Sequence, residues 1–114
     1  MMERELLALE RGFWTGDRAF YLAHVDGQCL TAFPEMAGVM TNVQIAETVE
    51  PDRRWRDVEL TVRGLIEPVP DVAILCYEAK AIRANGDPYT ALVSSAYVRR
   101  SDGWKLVFHQ QTPK

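Results

Sequence analysis

Cysteine, histidine and excess positive charge are all scarce in this chain, and each scarcity closes off a class of function. Two cysteines, Cys29 and Cys76, are too few for a disulfide scaffold in 114 residues. Both lie in apolar stretches and read as small buried hydrophobes. Only two histidines are present, His24 and His109, and their spacing from the cysteines makes no zinc pattern, so no metal is expected. Thirteen basic against sixteen acidic residues leave a net charge of −3. Nucleic acid and anionic membrane both demand a basic face, so neither is expected as a partner. No apolar run approaches the roughly 20 residues that would span a bilayer. The opening MMERELLALERGF mixes acids and bases among its leucines and does not read as a signal peptide. The expected location is the cytoplasm. Gly-rich phosphate loops, nucleophile elbows and metal-binding helix motifs are also missing, so no cofactor is expected.

What remains is the composition of one ordinary globular domain, 47% hydrophobic and 25% charged, spanning residues 1–114. Leu6, Leu7, Leu9, Phe13 and Trp14 recur at helical spacing between Glu3 and Trp14. Asp17 is an N-cap for a short helix over Arg18–His24. Asp26-Gly27 signals a turn, and Gln28 to Phe33 has strand composition. Thr41-Asn42-Val43-Gln44 has capping-box form and opens a helix that stops before Pro51. Beyond it the period changes to two: Val58, Leu60 and Val62 alternate with Glu59, Thr61 and Arg63. Strands follow over Val72–Arg83, Tyr89–Arg100 and Trp104–Thr112, separated by the hairpin signal Asn85-Gly86 and the turn Ser101-Asp102-Gly103. Helices first and a meander of long strands after them imply an α+β fold with the helices on one face of a twisted sheet.

The closing stretch, Arg99-Arg100-Ser101-Asp102-Gly103-Trp104-Lys105-Leu106-Val107-Phe108-His109-Gln110-Gln111-Thr112-Pro113, is the distinctive one. With Asp71-Val72-Ala73-Ile74, Tyr77 and the first helix with Trp14 and Gly16-Asp17, it resembles the nuclear transport factor 2-like superfamily. The likeness is to its SnoaL-like and ketosteroid isomerase-like branch, among small stand-alone bacterial members of unknown function. The resemblance implies a cone-shaped α+β domain. A strongly curved antiparallel sheet is covered on its concave face by N-terminal helices and encloses a pocket, and the convex face commonly makes a dimer.

A similar last hairpin in the calcium/calmodulin-dependent kinase association domain implies which side chains turn inward: Val107, His109 and Gln111, with Ser95 and Tyr97 beside them. Carried across the Asn85-Gly86 hairpin, the same parity places Ala73, Leu75, Tyr77 and Ala79 inside. Glu78 and Lys80 then face outward, as charges should. Trp104, Leu106 and Phe108 would fall on the outer face, and three large apolar side chains there call for cover, hence a homodimer through them. Inverted parity, or mixed parity caused by a bulge, are the rival arrangements.

Several functions suit such a pocket, because this fold hosts many. The leading expectation is a site for a small, largely apolar organic molecule, lined by Trp14, Tyr21, Phe33, Met36, Met40, Trp55, Leu75, Tyr77, Ser95, Tyr97, Val107, His109 and Gln111. The alternative is a lyase or isomerase of dehydratase type, with His109 as general acid or base and Tyr77 or Tyr97 as hydrogen-bond donor. No carboxylate belongs to the inward set of the last three strands, which speaks against the carboxylate-based isomerisation of ketosteroid isomerase. A purely structural association module is the third option. Arg53-Arg54-Trp55-Arg56, the single basic cluster, reads as a solvated loop balancing Glu50, Asp52 and Asp57, with steering of an anionic ligand to the cavity mouth as the alternative.

Overall fold

A computed structural model describes residues 2–114. The chain opens with helix α1 (Met2–Thr15) and helix α2 (Arg18–His24), then strands β1 (Val25–Phe33) and β2 (Met36–Thr41). A third helix, α3 (Asn42–Glu47), and one 3-10 turn (Pro51–Arg53) lead into four long strands. These are β3 (Arg56–Val69), β4 (Val72–Ile82), β5 (Pro88–Arg100) and β6 (Gly103–Pro113). They form one six-stranded sheet in the order β2-β1-β6-β5-β4-β3. The expected antiparallel sheet is in fact mixed, because β1 runs parallel to β6 while every other pair is antiparallel. Parallel neighbours need a long connection, and here it comprises everything from β2 to β5.

Local chemistry explains the boundaries. The Asp17 carboxylate accepts from the Phe20 amide and starts α2. Thr41 and Gln44 exchange reciprocal bonds at the head of α3, a complete capping box. The bend between α1 and α2 depends on Gly12: a Cβ there would lie 2.1 Å from the Phe20 ring, which packs directly on the helix backbone. Gly103 takes φ +120° where β5 turns into β6. Two expectations fail locally. Asp26-Gly27 makes no turn; it lies inside β1, where the register with β6 slips between Val25 and Leu30, and Arg100 holds Asp26 there through two hydrogen bonds. Cys76 is exposed rather than buried, because it shares the outward parity of Glu78 and Lys80.

The inward faces of β4 and β5 carry Ala73, Leu75, Tyr77, Ala79, Ala91, Val93, Ser95 and Tyr97, all essentially inaccessible. Helix α1 lies across them, burying Leu6, Glu10, Phe13 and Trp14 at spacings of four, three and one.

The last strand resolves the question of parity. Tyr97 pairs with Leu106 and Ala96 with Phe108, so Val107 is an extra residue, a β-bulge. Before the bulge the even residues Trp104 and Leu106 point into the core, at 7% and 4% exposure. After it the odd residues His109 and Gln111 take over the inner face. The expected outer seam through Trp104 and Leu106 is therefore overturned; of the three, only Phe108 lies outside.

Candidate functional site

A glutamate is the unexpected centre of the interior. Glu10, on α1, has no solvent exposure. Its Oε1 accepts from the Tyr77 hydroxyl and, at 3.0 Å, from Ser95 Oγ, while its Oε2 accepts from the Tyr97 hydroxyl. Trp14 donates its indole N–H to the Tyr77 oxygen at 3.0 Å. A buried carboxylate without partners is prohibitively costly, and three hydroxyl donors supply what water no longer can. The same charge, added to burial, drives both tyrosine hydroxyls well above their usual pKa, burial being the larger cause. Both therefore stay protonated and donate to Glu10, and the Tyr77 oxygen also accepts from Trp14.

From Glu10 the network runs outward to a cavity. Ser95 Oγ lies 2.8 Å from His109 Nδ1, and His109 Nε2 lies 3.0 Å from Gln111 Nε2. Tyr89 donates to Gln111 Oε1 at 2.8 Å. Proton counting orients this chain. Ser95 has one proton and gives it to the carboxylate, so His109 must donate from Nδ1, leaving Nε2 to accept from the Gln111 amide. Burial of the imidazole, with 13% of its side chain exposed, lowers its pKa, and the Glu10 charge opposes that in part.

The cavity has a volume of about 430 Å³. Of the expected lining residues, Tyr21, Phe33, Met36, Met40, Trp55, His109 and Gln111 face it. Trp14, Leu75, Tyr77, Ser95 and Tyr97 lie in the core outside its wall, and Val107 is on the bulge. Tyr77 and Tyr97 therefore act on Glu10 and not on the cavity. Additional wall comes from Phe13, Cys29, Ile45, Leu106, Tyr89 and Arg83, among others. Cys29 is a buried thiol whose pKa is pushed up to about 12, chiefly by burial, so it stays protonated and unreactive. Arg54, from the basic loop, is partly buried and donates to the Phe13 carbonyl at 2.7 Å, so it braces α1 instead of floating in solvent. The described residues contain no group of acids, cysteines and histidines able to hold a metal.

His109 predicts a pH dependence. Its unfolded form binds a proton near the ordinary value of 6.5, while the buried imidazole resists one. Below that pH the unfolded state binds more protons, so the contribution to stability is present above 6.5 and lost as pH falls through the folded pKa. The slope per group is at most ~1.4 kcal/mol per pH unit. His24, whose pKa is also lowered by burial, titrates in the same sense. Urea unfolding at pH 7.5 and 5.5 should therefore show a shallower loss in His109→Gln than in wild type. Equal slopes would contradict the buried neutral imidazole.

No family model and no curated protein matches the chain. Solved structures do match along nearly its whole length. An NTF2-like protein of unknown function from Prochlorococcus sp. NATL2A superimposes with a TM-score of 0.79 at 16% identity, covering 99% of this chain and 93% of that one. The chain has the nuclear transport factor 2-like fold. A ketosteroid isomerase-like protein from Erwinia carotovora shares the NTF2-like fold at TM-score 0.77 and 16% identity, covering 97% and 92%. A Nostoc punctiforme domain of unknown function with a cystatin-like fold follows at 0.68 and 15%, covering 98% and 76%. At such identities the NTF2-like scaffold is what is shared, and the site must be argued from its own residues.

Glu10 is the residue that reading the strands alone misses, though its signal was present. It sits four residues after Leu6 and four before Trp14, a charge in the middle of the apolar stripe of α1.

Proposed function

We propose that this chain binds a small, largely apolar organic molecule in the cavity between the curved sheet and its helices, and does so as a homodimer. The observation that carries the reading is the cavity itself: about 430 Å³, inside the usual range for ligand sites, walled by Phe13, Phe33, Met40, Trp55 and Leu106. A purely structural association module has no need of such a space. Two free thiols, and the absence among the described residues of any helix long and apolar enough to cross a membrane, fit the cytoplasm as the place where it works.

A second reading, acid–base catalysis, is favoured by the Glu10–Ser95–His109 chain reaching the cavity wall. In it the Gln111 amide gives way to the bound molecule, His109 Nε2 takes a proton from that molecule, and the charge that develops is balanced through Ser95 by Glu10. The hydroxyl donors first expected of Tyr77 and Tyr97 are already committed to Glu10.

A thermal-shift screen of small apolar metabolites tests both. A compound at about ten times its Kd stabilises by ~1.4 kcal/mol, a rise of several degrees in Tm. Thr31→Trp, which puts an indole into the cavity from β1, should erase the shift. Hits unaffected by Thr31→Trp bind elsewhere and would refute the cavity reading. For any hit that is turned over, His109→Gln should keep the shift and lose the turnover; retained turnover would remove the catalytic reading.

A further inference from the structure

The polar groups of the cavity can be counted one by one, and nearly all are already spoken for. His109, Gln111 and Tyr89 satisfy one another in sequence. Tyr21 gives its proton to the Phe13 carbonyl, Thr31 to Gly38 and Thr48 to Ile45. Two charged side chains on the exposed rim remain, Arg83 from the end of β4 and Glu35 from the β1–β2 turn. Among the described residues Arg83 forms no ion pair and no side-chain hydrogen bond. Its guanidinium lies over two rings that line the same cavity, 4.7 Å from the Tyr89 centroid and 5.1 Å from that of Trp55. Contact with the two rings holds the group at the rim while leaving its N–H donors free, an arrangement suited to a carboxylate.

From this we infer that the ligand of the cavity is a monocarboxylic acid with an apolar body, its carboxylate gripped by Arg83 at the rim and its body in the apolar interior. The inference rests on the cavity reading proposed above. A cationic ligand is disfavoured by the same geometry, because Arg83 already occupies the faces of Trp55 and Tyr89 where a cation would settle. Glu35, exposed after Pro34 on the same rim, touches neither ring and opposes an anion there through a charge that solvent and salt screen.

Calorimetric titration with 2-naphthoate and its uncharged analogue 2-naphthylmethanol tests the assignment. Wild type should bind naphthoate about tenfold more tightly, the worth of a charge-assisted hydrogen-bonded pair at a partly exposed site. Arg83→Gln should bring naphthoate down to the level of the alcohol and leave the alcohol unchanged. Arg83→Lys should restore only part, since an ammonium lacks the guanidinium's fork of donors. Glu35→Gln should tighten naphthoate slightly, and added salt should shrink the difference between the two ligands. Equal affinities in wild type, or equal weakening of both ligands in Arg83→Gln, would overturn the carboxylate assignment and leave the cavity reading intact. Failure of both ligands to bind wild type would overturn the assignment together with the reading beneath it.

Discussion

Glu10→Ala is expected to destabilise the fold by about 3–5 kcal/mol, the range for removing one partner from a buried charged network. A domain of ordinary stability has only about 5–15 kcal/mol in total, so Tm should fall by on the order of 15 °C. The loss comes from what stays behind. The hydroxyls of Tyr77, Tyr97 and Ser95 all donate to Glu10, none has solvent access, and no other carboxylate is in reach. Each buried donor left without an acceptor costs about 1–3 kcal/mol. Glu10→Gln should cost less, because the amide oxygen still accepts, although its NH2 must meet a hydroxyl that previously donated.

The network explanation differs from a simple cavity explanation in one measurable way. If the cost is that of orphaned donors, then removing a donor as well should return part of it. Tyr97 is the donor to remove, because its hydroxyl has Glu10 as its one partner, whereas the Tyr77 and Ser95 hydroxyls also accept from Trp14 and His109. Glu10→Leu combined with Tyr97→Phe should be more stable than Glu10→Leu alone. Chemical unfolding of the two proteins settles this. A double variant less stable than the single one would show that the two residues contribute independently.

Glu10 also shows why the site was less legible than the fold. The elements follow from local rules: the Asp17 cap, the Thr41–Gln44 box and the Asn85-Gly86 hairpin each operate within four residues, and each stands where the sequence places it. The strand β2 was hidden, because Met36–Thr41 is short and holds Gly38, and its partner β1 alone defines it. Parity on β6 was harder still. The bulge at Val107 arises from how β6 meets β5 and β1 together, and nothing in the residues around it demands an extra position. The inner face of β4, by contrast, could be read from Glu78 and Lys80, since charges cannot be turned inward without partners. That same rule, applied to α1, marked Glu10 as out of place. The rule says only that such a charge needs partners, and the partners lie 67 to 87 residues away in sequence.

Ile74→Lys is expected to convert a dimer into a folded monomer. With Trp104 and Leu106 inside, the outer face is held by a different set. The strand registers align Val39, Leu30, Phe108, Ala96, Ile74 and Ile66 in one apolar row that crosses all six strands. Ile66 is 60% exposed, Leu30 49% and Ile74 37%, too much contiguous apolar surface to be left wet. In the homodimer proposed above, a second copy turned about a twofold axis would present the same row and cover it symmetrically. A lysine at the middle of that seam would be buried without a partner, and the dissociation constant should rise more than about a hundredfold. The fold itself should survive, because the interior side of β4 is untouched. Leu92→Lys provides the control. Leu92 is also exposed on the outer face, but its strand partners are Glu78 and Thr112, so a charge there stays at the wet end and should change the mass in solution little. Light scattering coupled to size exclusion reads all three proteins. A wild type already monomeric at micromolar concentration, or an Ile74→Lys protein of unchanged mass, would put the interface elsewhere or remove it.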